Sequence, residues 1–533
     1  MRRPEAEVGG SRPEKAVKLW VAFLALAACV AIASAPALGG GWVYDDRLML
    51  GHPMLDGLED VAPAFSRTSA DYQARTVDGP GIAGGSTYRP LAVVSVILVN
   101  GTVGPRPLAH HLVSLACHLG VLFLVLRFAA RAGRVGWPAL FVGAVIALHP
   151  AGVEAYGWIN GRSDVLAGLF LAGILMLDGR PRSWPLLLVL LLAGGLCKET
   201  FFVAAAGLLV ARRLEPWQPR PLAGDLGVLL VAGLSVLALR GSAGATLASV
   251  PTAGLIERIP RIVGLAVETW VAPWPRAMRL LAWETSRPAP LGELLAAALP
   301  LLAMLLLLLR REVRRAALVA TALVALAPVA LVGDSFWLGF DRYLYLPGIL
   351  LAAAAIPLPG RDRIFALATV VAVLGLGAAT FVAARSYGSH SAFAASLLAD
   401  RPDDPTGYIF VADDALVNRR PDVAAAVLGQ IPDVELPASV AHQTARLLLR
   451  AGKGAQAAAL IEKTAAALPG DANLRFDLLT VRAAQRRWPE VIELARSIAG
   501  DPARRKAVAD LVDGWAREGQ IPPDVRAALQ GLR

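Results

Sequence analysis

The chain has 533 residues, of which 56% are hydrophobic and only 18% are charged, and its mean hydropathy is +0.54. These values exclude an ordinary soluble protein of this length and predict a polytopic membrane protein. The net charge of +10 does not indicate nucleic-acid binding, because the arginines stand in short clusters between apolar runs, where they act as topology signals. The three cysteines lie inside apolar segments and show neither metal-site nor disulfide spacing.

The N-terminal segment, residues 1–16, is polar and basic, and a nearly continuous apolar run follows it. This run is longer than the apolar core of a signal peptide and ends without a clear cleavage site. We interpret it as a signal anchor with a cytoplasmic N-terminus. Asp45 and Asp46 follow at its exit on the membrane surface, where two adjacent carboxylates are either a solvated helix end or a functional pair.

Apolar runs predict about eleven spans within a transmembrane domain of residues 17–385. They lie near 17–39, 108–127, 136–149, 164–178, 184–197, 199–212, 222–240, 290–309, 316–333, 341–358 and 364–384. Several are shorter than the roughly 20 residues that a bilayer requires, and 184–212 is either one long helix or a hairpin. Every loop that this count assigns to the cytoplasm is basic, which supports the count and favours the hairpin, with Lys198 and Glu199 at its tip.

Polar residues collect on the opposite face, in the first external loop (residues 41–107) and in four later places. They include Asp45, Asp46, Arg89, Glu154, Arg162, Asp164, Lys198, Glu199, Arg342 and Tyr343. Ionisable groups at membrane depth usually pair with each other or with a substrate. Two carboxylates and several cations suit a reaction in which a hydroxyl is deprotonated while a phosphate leaves. A transporter normally places such groups nearer the midplane with an internal repeat, which we do not find in the membrane half.

The external segment 241–289 mixes charged residues with tryptophans, which predicts an amphipathic segment at the membrane interface. It either lies beside a lipid carrier or belongs to an aromatic belt without substrate contact.

After residue 385 the composition becomes polar and Ala-rich, which indicates a soluble domain of residues 386–533. Similar segments begin at Arg420, Gly454, Trp488 and Pro522, each 34 residues after the last, and the intervening sequence predicts helix pairs such as 438–451 with 454–467. This is the tetratricopeptide period. The domain is expected on the same side as Asp45, where it presents a protein acceptor, holds a partner, or serves as a stabilising cap.

Several blocks of the sequence together resemble one family. They are Val43-Tyr44-Asp45-Asp46, His52-Pro53, Tyr88-Arg89-Pro90-Leu91, His110-His111-Leu112-Val113, Leu148-His149-Pro150, Gly161-Arg162-Ser163-Asp164, Lys198-Glu199 and Arg342-Tyr343-Leu344-Tyr345-Leu346-Pro347. In this order they resemble the transmembrane and tetratricopeptide-repeat O-mannosyltransferases and their bacterial relatives. The resemblance implies a GT-C glycosyltransferase that uses a lipid-phosphate-linked sugar at a non-cytoplasmic active site.

The resemblance also implies site roles. It places the catalytic base on Asp45 or Asp46, with the other residue orienting it, and does not decide between them. For the donor phosphate we expect Arg342 first, because it opens a span on the active face, and Arg89 and Lys198 second. The alternative for these cations is snorkelling to the interface.

Supporting residues are Tyr343, Glu154, Arg162, Asp164 and Glu199. The alternative for Glu154, Arg162 and Asp164 is a structural ion-pair cluster that fixes a loop.

We therefore predict an all-α fold: a polytopic GT-C-type helical bundle followed by a soluble TPR-like helical-repeat domain. The predicted activity moves a sugar from a polyprenyl-phosphate carrier to a hydroxyl, most simply on an exported protein, in a bacterial inner membrane with the active site and the repeats in the periplasm. One alternative is a lipid or envelope-polysaccharide acceptor, and another is a non-enzymatic scaffold or transporter. We expect no cofactor, no nucleic-acid partner and no metal site, since two aspartates alone lack the further ligands of a divalent cation.

Overall fold

The structure is a computed structural model of the chain. It describes residues 12–49, 52–73, 87–131, 136–177, 183–214, 222–245, 255–279, 284, 289–330, 339–356, 362–432, 436–469, 471–500, 502–529 and 531. Within these ranges every regular element is a helix, so the all-α prediction is confirmed. The predicted cytoplasmic N-terminus up to residue 11, and most of the predicted cytoplasmic loops at 132–135, 178–182, 215–221 and 357–361, lie outside the described residues.

The membrane half consists of helices that follow the apolar runs of the sequence. They are Arg12–Leu38, Pro90–Val103, Pro107–Arg131, Trp137–Leu148, Ala151–Tyr156, Arg162–Leu175, Trp184–Cys197, Phe201–Arg213, Leu222–Ser242, Leu255–Val271, Leu291–Leu309, Val313–Val324, Ala327–Ala330, Tyr345–Ala355 and Asp362–Arg385. Six described segments are long and apolar enough to cross a membrane: Leu19–Leu38, Pro107–Arg131, Ala223–Ser242, Leu291–Leu309, Val313–Ala330 and Asp362–Arg385. The polytopic prediction is confirmed, and the count of eleven spans stays a prediction.

The segment 184–212 forms two helices that meet at Lys198. The backbone of Lys198 is extended, with φ −158° and ψ 132°, and it ends the helix Trp184–Cys197. A methyl group on Gly194 would lie 2.3 Å from the ring of Phe201 in the next helix, so only glycine permits this close approach. Lys198 and Glu199 therefore lie in a break between helices, as the hairpin interpretation expected.

The first external loop contains a helix that the sequence analysis did not assign. Pro90–Val103 is apolar but has 14 residues, which is too short for an ordinary span. It lies beside the helix Trp184–Cys197, and the side chain of Asn100 donates a hydrogen bond to the carbonyl of Leu55 earlier in the loop. The helix anchors the loop near the acidic pair.

The soluble part is a series of helix pairs. Its helices are His390–Asp400, Pro405–Val417, Pro421–Leu428, Ala438–Arg450, Gly454–Ala467, Ala472–Ala484, Trp488–Ala499, Pro502–Arg517 and Pro523–Leu529. The turn within each of the last four pairs contains one residue with left-handed backbone: Arg419 at φ 56°, Gly452 at 75°, Arg486 at 57° and Gly519 at 68°. These residues recur at nearly the same spacing as the sequence repeat. The apolar core continues from the membrane half into the first pairs, through Val43, Phe393 and Phe410.

Candidate functional site

Asp46 is held by backbone N–H groups. Its side chain is 1% exposed, its Oδ1 accepts a hydrogen bond from the backbone N–H of Asn160 at 2.9 Å, and its Oδ2 accepts one from that of Ile159 at 3.4 Å. Burial, and next the charge of Asp45, raises the pKa of Asp46 well above its ordinary value. Asp46 thus ties the first external loop to the segment 157–161, and this fixes the position of its neighbour.

Asp45 is only half-buried and is differently bonded. Its Oδ2 accepts a hydrogen bond from the Asn160 side chain at 2.6 Å, whereas its Oδ1 has no hydrogen-bond partner in the described part of the chain. Burial raises the pKa of Asp45 to about 6, although the charge of Arg342 and the bond from Asn160 act in the opposite direction. A carboxylate with one fixed oxygen, one unbonded oxygen and this pKa suits a general base near neutral pH.

Trp158 lies between the acid pair and Arg342. Its side chain is 1% exposed, its ring centroid lies 5.5 Å from that of Tyr44, and the guanidinium carbon of Arg342 lies 4.5 Å from its ring centroid. The indole therefore packs against both the residue that precedes Asp45 and the cation that the sequence analysis assigned to phosphate.

Arg342 lies in the turn Asp341–Leu344, which follows Gly339. Gly339 has φ 110°, and a Cβ there would lie 2.6 Å from Oε1 of Glu154, so glycine is required for this approach. The Nε of Arg342 is 4.0 Å from the same oxygen and makes no hydrogen bond to a described residue. Burial, and then the charge of Asp341, raises the pKa of Glu154 to about 8. Burial thus favours the neutral form of Glu154, and no carboxylate makes a close ion pair with the Nε of Arg342 among the described residues.

Lys198 and Arg89, by contrast, face carboxylates. The Lys198 ammonium contacts the Asp164 carboxylate, and both side chains are at most 2% exposed. Arg89 binds Glu199 through two hydrogen bonds, at 2.6 Å from Nη2 and 3.0 Å from Nε. Burial acts against the charged form of Glu199, but the charge and hydrogen bonds of Arg89, together with the charge of Lys198, outweigh it and lower the pKa of Glu199 to about 2. Both cations are therefore compensated.

The three predicted cations nevertheless lie close together. Lys198 and Arg342 approach the same aromatic ring, at 4.4 Å and 5.2 Å from the centroid of Tyr343. Burial lowers the pKa of Lys198 to about 8, and the charges of Arg89 and Arg342 contribute to this shift. The predicted supporting role of Tyr343 corresponds to its position between two cations.

Glu154, Arg162 and Asp164 do not form one ion-pair cluster. Glu154 faces Arg342, Asp164 faces Lys198, and Arg162 points elsewhere. The buried guanidinium of Arg162 donates hydrogen bonds to the carbonyl of His110 at 2.8 Å and to the hydroxyl of Ser114 at 3.0 Å. Arg162 therefore makes a structural contact that supports the helix Pro107–Arg131. Glu154 and Asp164 lie at the cation end, the part of the site that contains Arg89, Lys198 and Arg342.

Sequence reasoning gave no role to three residues of the site. Asn160 lies in a segment between two predicted spans, and Trp158 lies two residues before it. Neither residue is charged, so only the fold shows that they contact Asp45 and Arg342. Arg279 is 2% exposed, and its Nε and Nη1 have no hydrogen-bond partner among the described residues. Its charge acts on Asp341, so it adds positive charge beside Arg342. Groups of three or more His, Cys, Asp or Glu side chains that could hold a metal ion do not occur in the described part.

An apolar groove of about 890 Å³ lies among the helices of the membrane half. It lies between the helices Phe201–Arg213, Leu222–Ser242 and Val313–Val324, and its lining includes Phe202, Val210 and Leu230. Phe202 packs in the same apolar cluster as Tyr88, which precedes Arg89, and Leu91, which lies two residues after it. One wall of the groove thus lies near the segment that carries Arg89.

Comparison with known proteins adds an independent observation. The chain is 33% identical over 183 residues to the Drosophila melanogaster protein O-mannosyl-transferase Tmtc2, and 32% identical over 189 residues to Tmtc1 from the same organism. A shorter segment of 84 residues is 37% identical to the Mus musculus protein O-mannosyl-transferase TMTC2. No family model and no solved structure matches the chain.

The similarity is partial on both sides. The matched segments cover 31%, 34% and 16% of this chain, and 19%, 21% and 10% of the three relatives. The comparison therefore supports a relationship to the transmembrane and tetratricopeptide-repeat O-mannosyltransferases, and with it a glycosyltransferase.

Proposed function

We propose that the chain is a membrane glycosyltransferase of the GT-C type that moves a sugar from a polyprenyl-phosphate carrier to a hydroxyl on an exported protein. The observation that carries this proposal is that Asp45, whose Oδ1 makes no hydrogen bond to a described residue, lies near Arg342, whose contact with Glu154 is 4.0 Å long. A base and a cation held apart on one membrane face are what transfer from a lipid phosphate to a hydroxyl requires.

In this reaction the acceptor hydroxyl gives its proton to Oδ1 of Asp45. The hydroxyl oxygen bonds to the anomeric carbon while the bond from that carbon to the phosphate oxygen breaks. The lipid phosphate leaves with the electron pair, and Arg342 stabilises its charge. Asp46 and Asn160 hold Asp45 in place. Lys198 and Arg89 add positive charge nearby but bind their own carboxylates.

The apolar groove supports a lipid-linked donor. Its wall at Phe202 lies near the segment that carries Arg89, and its lining is almost entirely apolar. A polyprenyl chain placed in this groove would leave its phosphate among the cations, because both groups belong to one molecule. The polyprenyl chain already lies in the apolar bilayer, so the groove would contribute to donor binding through packing contacts and not through removal from water.

The acceptor and the compartment are part of the same proposal. The helix pairs after residue 385 are suited to an extended peptide, as stacked helical repeats usually are. With an odd number of spans and a cytoplasmic N-terminus, Asp45 and the repeats lie on the same, non-cytoplasmic side. The Ala, Gly, Leu and Arg richness is typical of a high-GC bacterium, so we place this side in the periplasm.

The decisive experiment compares wild type, Asp45→Asn and Asp46→Asn in membranes supplied with polyprenyl-phosphate sugars, followed by the intact mass of exported proteins. Loss of a general base costs about 10²- to 10⁴-fold in rate, so Asp45→Asn should abolish detectable transfer. Asp46→Asn should retain more activity than Asp45→Asn, because its effect is indirect.

Asp56→Asn is the matched control, since Asp56 is an exposed carboxylate in the same loop. If Asp45→Asn and Asp56→Asn transfer equally well, Asp45 is not the base. Transfer to lipid or polysaccharide in place of protein would redirect the acceptor proposal, and a wild type inactive with every donor would favour a scaffold or transporter.

A further inference from the structure

A residue that follows the membrane half contacts the backbone next to the acidic pair. The backbone N–H of Tyr44 donates a hydrogen bond to Nδ1 of His390 at 3.3 Å, although the two residues are 346 positions apart. His390 opens the first helix after the membrane half, and its side chain is 8% exposed. The soluble domain therefore contacts the residue that immediately precedes the proposed base.

The Tyr44 backbone needs such support. Its φ is 53°, a left-handed conformation that a residue with a side chain rarely adopts. The Tyr44 ring packs against Phe393 and Phe410 of the soluble domain, at centroid distances of 6.2 Å and 5.2 Å. A strained turn next to a catalytic group persists only when surrounding contacts determine it. Here those contacts come largely from the soluble domain.

A second contact lies on the other side of the pair. Asp413 accepts a hydrogen bond from Arg450 at 3.0 Å, and its Oδ2 lies 3.9 Å from Nη1 of Arg47 and 3.7 Å from Nε2 of His390. An N–H on Nε2, facing this carboxylate, leaves Nδ1 as the acceptor that the Tyr44 N–H requires. The residues before and after the acid pair are thus both connected to Asp413.

We propose that His390 is a positioning residue for the transfer reaction: it fixes the Tyr44 turn, and the turn aims Oδ1 of Asp45 at the acceptor hydroxyl. The soluble domain is then part of the active site as well as an acceptor surface. This inference rests on the proposed function. A misplacement of about 1 Å at a reacting group can cost about 10²-fold in rate, so a small rotation of the turn is sufficient for a measurable effect.

The test uses the full chain, purified, with a polyprenyl-phosphate sugar and an acceptor peptide, and measures kcat and KM separately. His390→Ala removes the acceptor nitrogen and should lower kcat about 10-fold or more with little change in KM. His390→Asn places an amide oxygen near the position of Nδ1 and should restore most of kcat. His442→Ala is the matched control, because His442 lies in a later helix pair and contacts Asp477. Its kcat should equal that of the wild type.

The outcomes separate the two proposals. If Asp45→Asn is inactive but folded His390→Ala keeps the wild-type kcat, the positioning role is wrong and the proposed function stands. If Asp45→Asn is as active as the wild type, Asp45 is not the base, and the proposed function fails before the positioning role is tested. Should His390→Ala not fold, Asp413→Asn replaces it, because loss of this carboxylate frees the imidazole to change tautomer. A wild-type kcat in folded Asp413→Asn would then overturn the positioning role.

Discussion

At the acid end of the site Asp45 and Asp46 accept hydrogen bonds from neutral N–H groups, whereas at the cation end Arg89 and Lys198 pair with the carboxylates of Glu199 and Asp164. Neutral donors orient a charged group without cancelling its charge, but an ion pair cancels most of the field that a substrate would feel. The acid end is therefore suited to accept a proton, as the proposed function requires. The cation end is arranged for rigidity, except at Arg342.

Arg342 differs from its neighbours because its contact with Glu154 is long, at 4.0 Å, and burial favours the neutral form of Glu154. Burial beside Asp341 raises the pKa of Glu154, so this group accepts backbone hydrogen bonds without neutralising the guanidinium. The comparison teaches that a buried cation is available to a phosphate when its carboxyl partner is distant or favours the neutral form.

The largest expected effect tests this difference between cations. Arg342→Gln should lower kcat about 10²- to 10³-fold, the usual cost of removing a group that stabilises the developing charge. Arg89→Gln should cost clearly less, because Arg89 already binds Glu199. Steady-state transfer rates with a fixed donor measure both.

Arg67→Gln is the control for the loss of a loop arginine, since Arg67 pairs with Asp60 at 3.1 Å in the first external loop. Equal losses of kcat in Arg342→Gln and Arg89→Gln would mean that the ion pair with Glu199 does not reduce the contribution of Arg89 to the transfer reaction.

A second prediction concerns pH and the acid end. A base works when it is ionised, and burial raises the pKa of Asp45 to about 6, so transfer should decline as the pH falls through about 6. The Arg342 charge lowers this pKa, so Arg342→Gln should move the decline to higher pH. Profiles of kcat against pH for both proteins measure the shift. An unmoved profile would mean that Arg342 and the base do not interact.

The smallest expected effect is that of Glu154→Gln. Glutamine resembles the protonated acid, so at neutral pH we expect less than about a threefold change in kcat. Above a pH of about 8 the wild-type Glu154 ionises and compensates Arg342, which should lower transfer, whereas Glu154→Gln should keep its rate. Asp164→Asn is the comparison variant, because it leaves the buried ammonium of Lys198 without its carboxylate. Its loss at neutral pH should exceed that of Glu154→Gln.

Much of the fold was accessible to sequence analysis because it depends on local periodicity. Apolar runs of about 20 residues form helices wherever they lie, since backbone groups in an apolar environment must bond internally. The 34-residue recurrence likewise marked the helix pairs before their turns at Arg419 and Gly452 were visible. The helix Pro90–Val103 was missed because a 14-residue apolar segment satisfies neither the length of a span nor the pattern of a surface helix.

By itself the sequence determined the helical class and the positions of most helices, and it predicted which charged residues face one side of the membrane. Only the tertiary structure decided which aspartate keeps an oxygen without a hydrogen bond, which cation lacks a close ion pair, and that His390 supports Tyr44 across 346 positions. The physical reason is that these properties depend on burial and on neighbours from distant parts of the chain. Both arise only when the helices pack together.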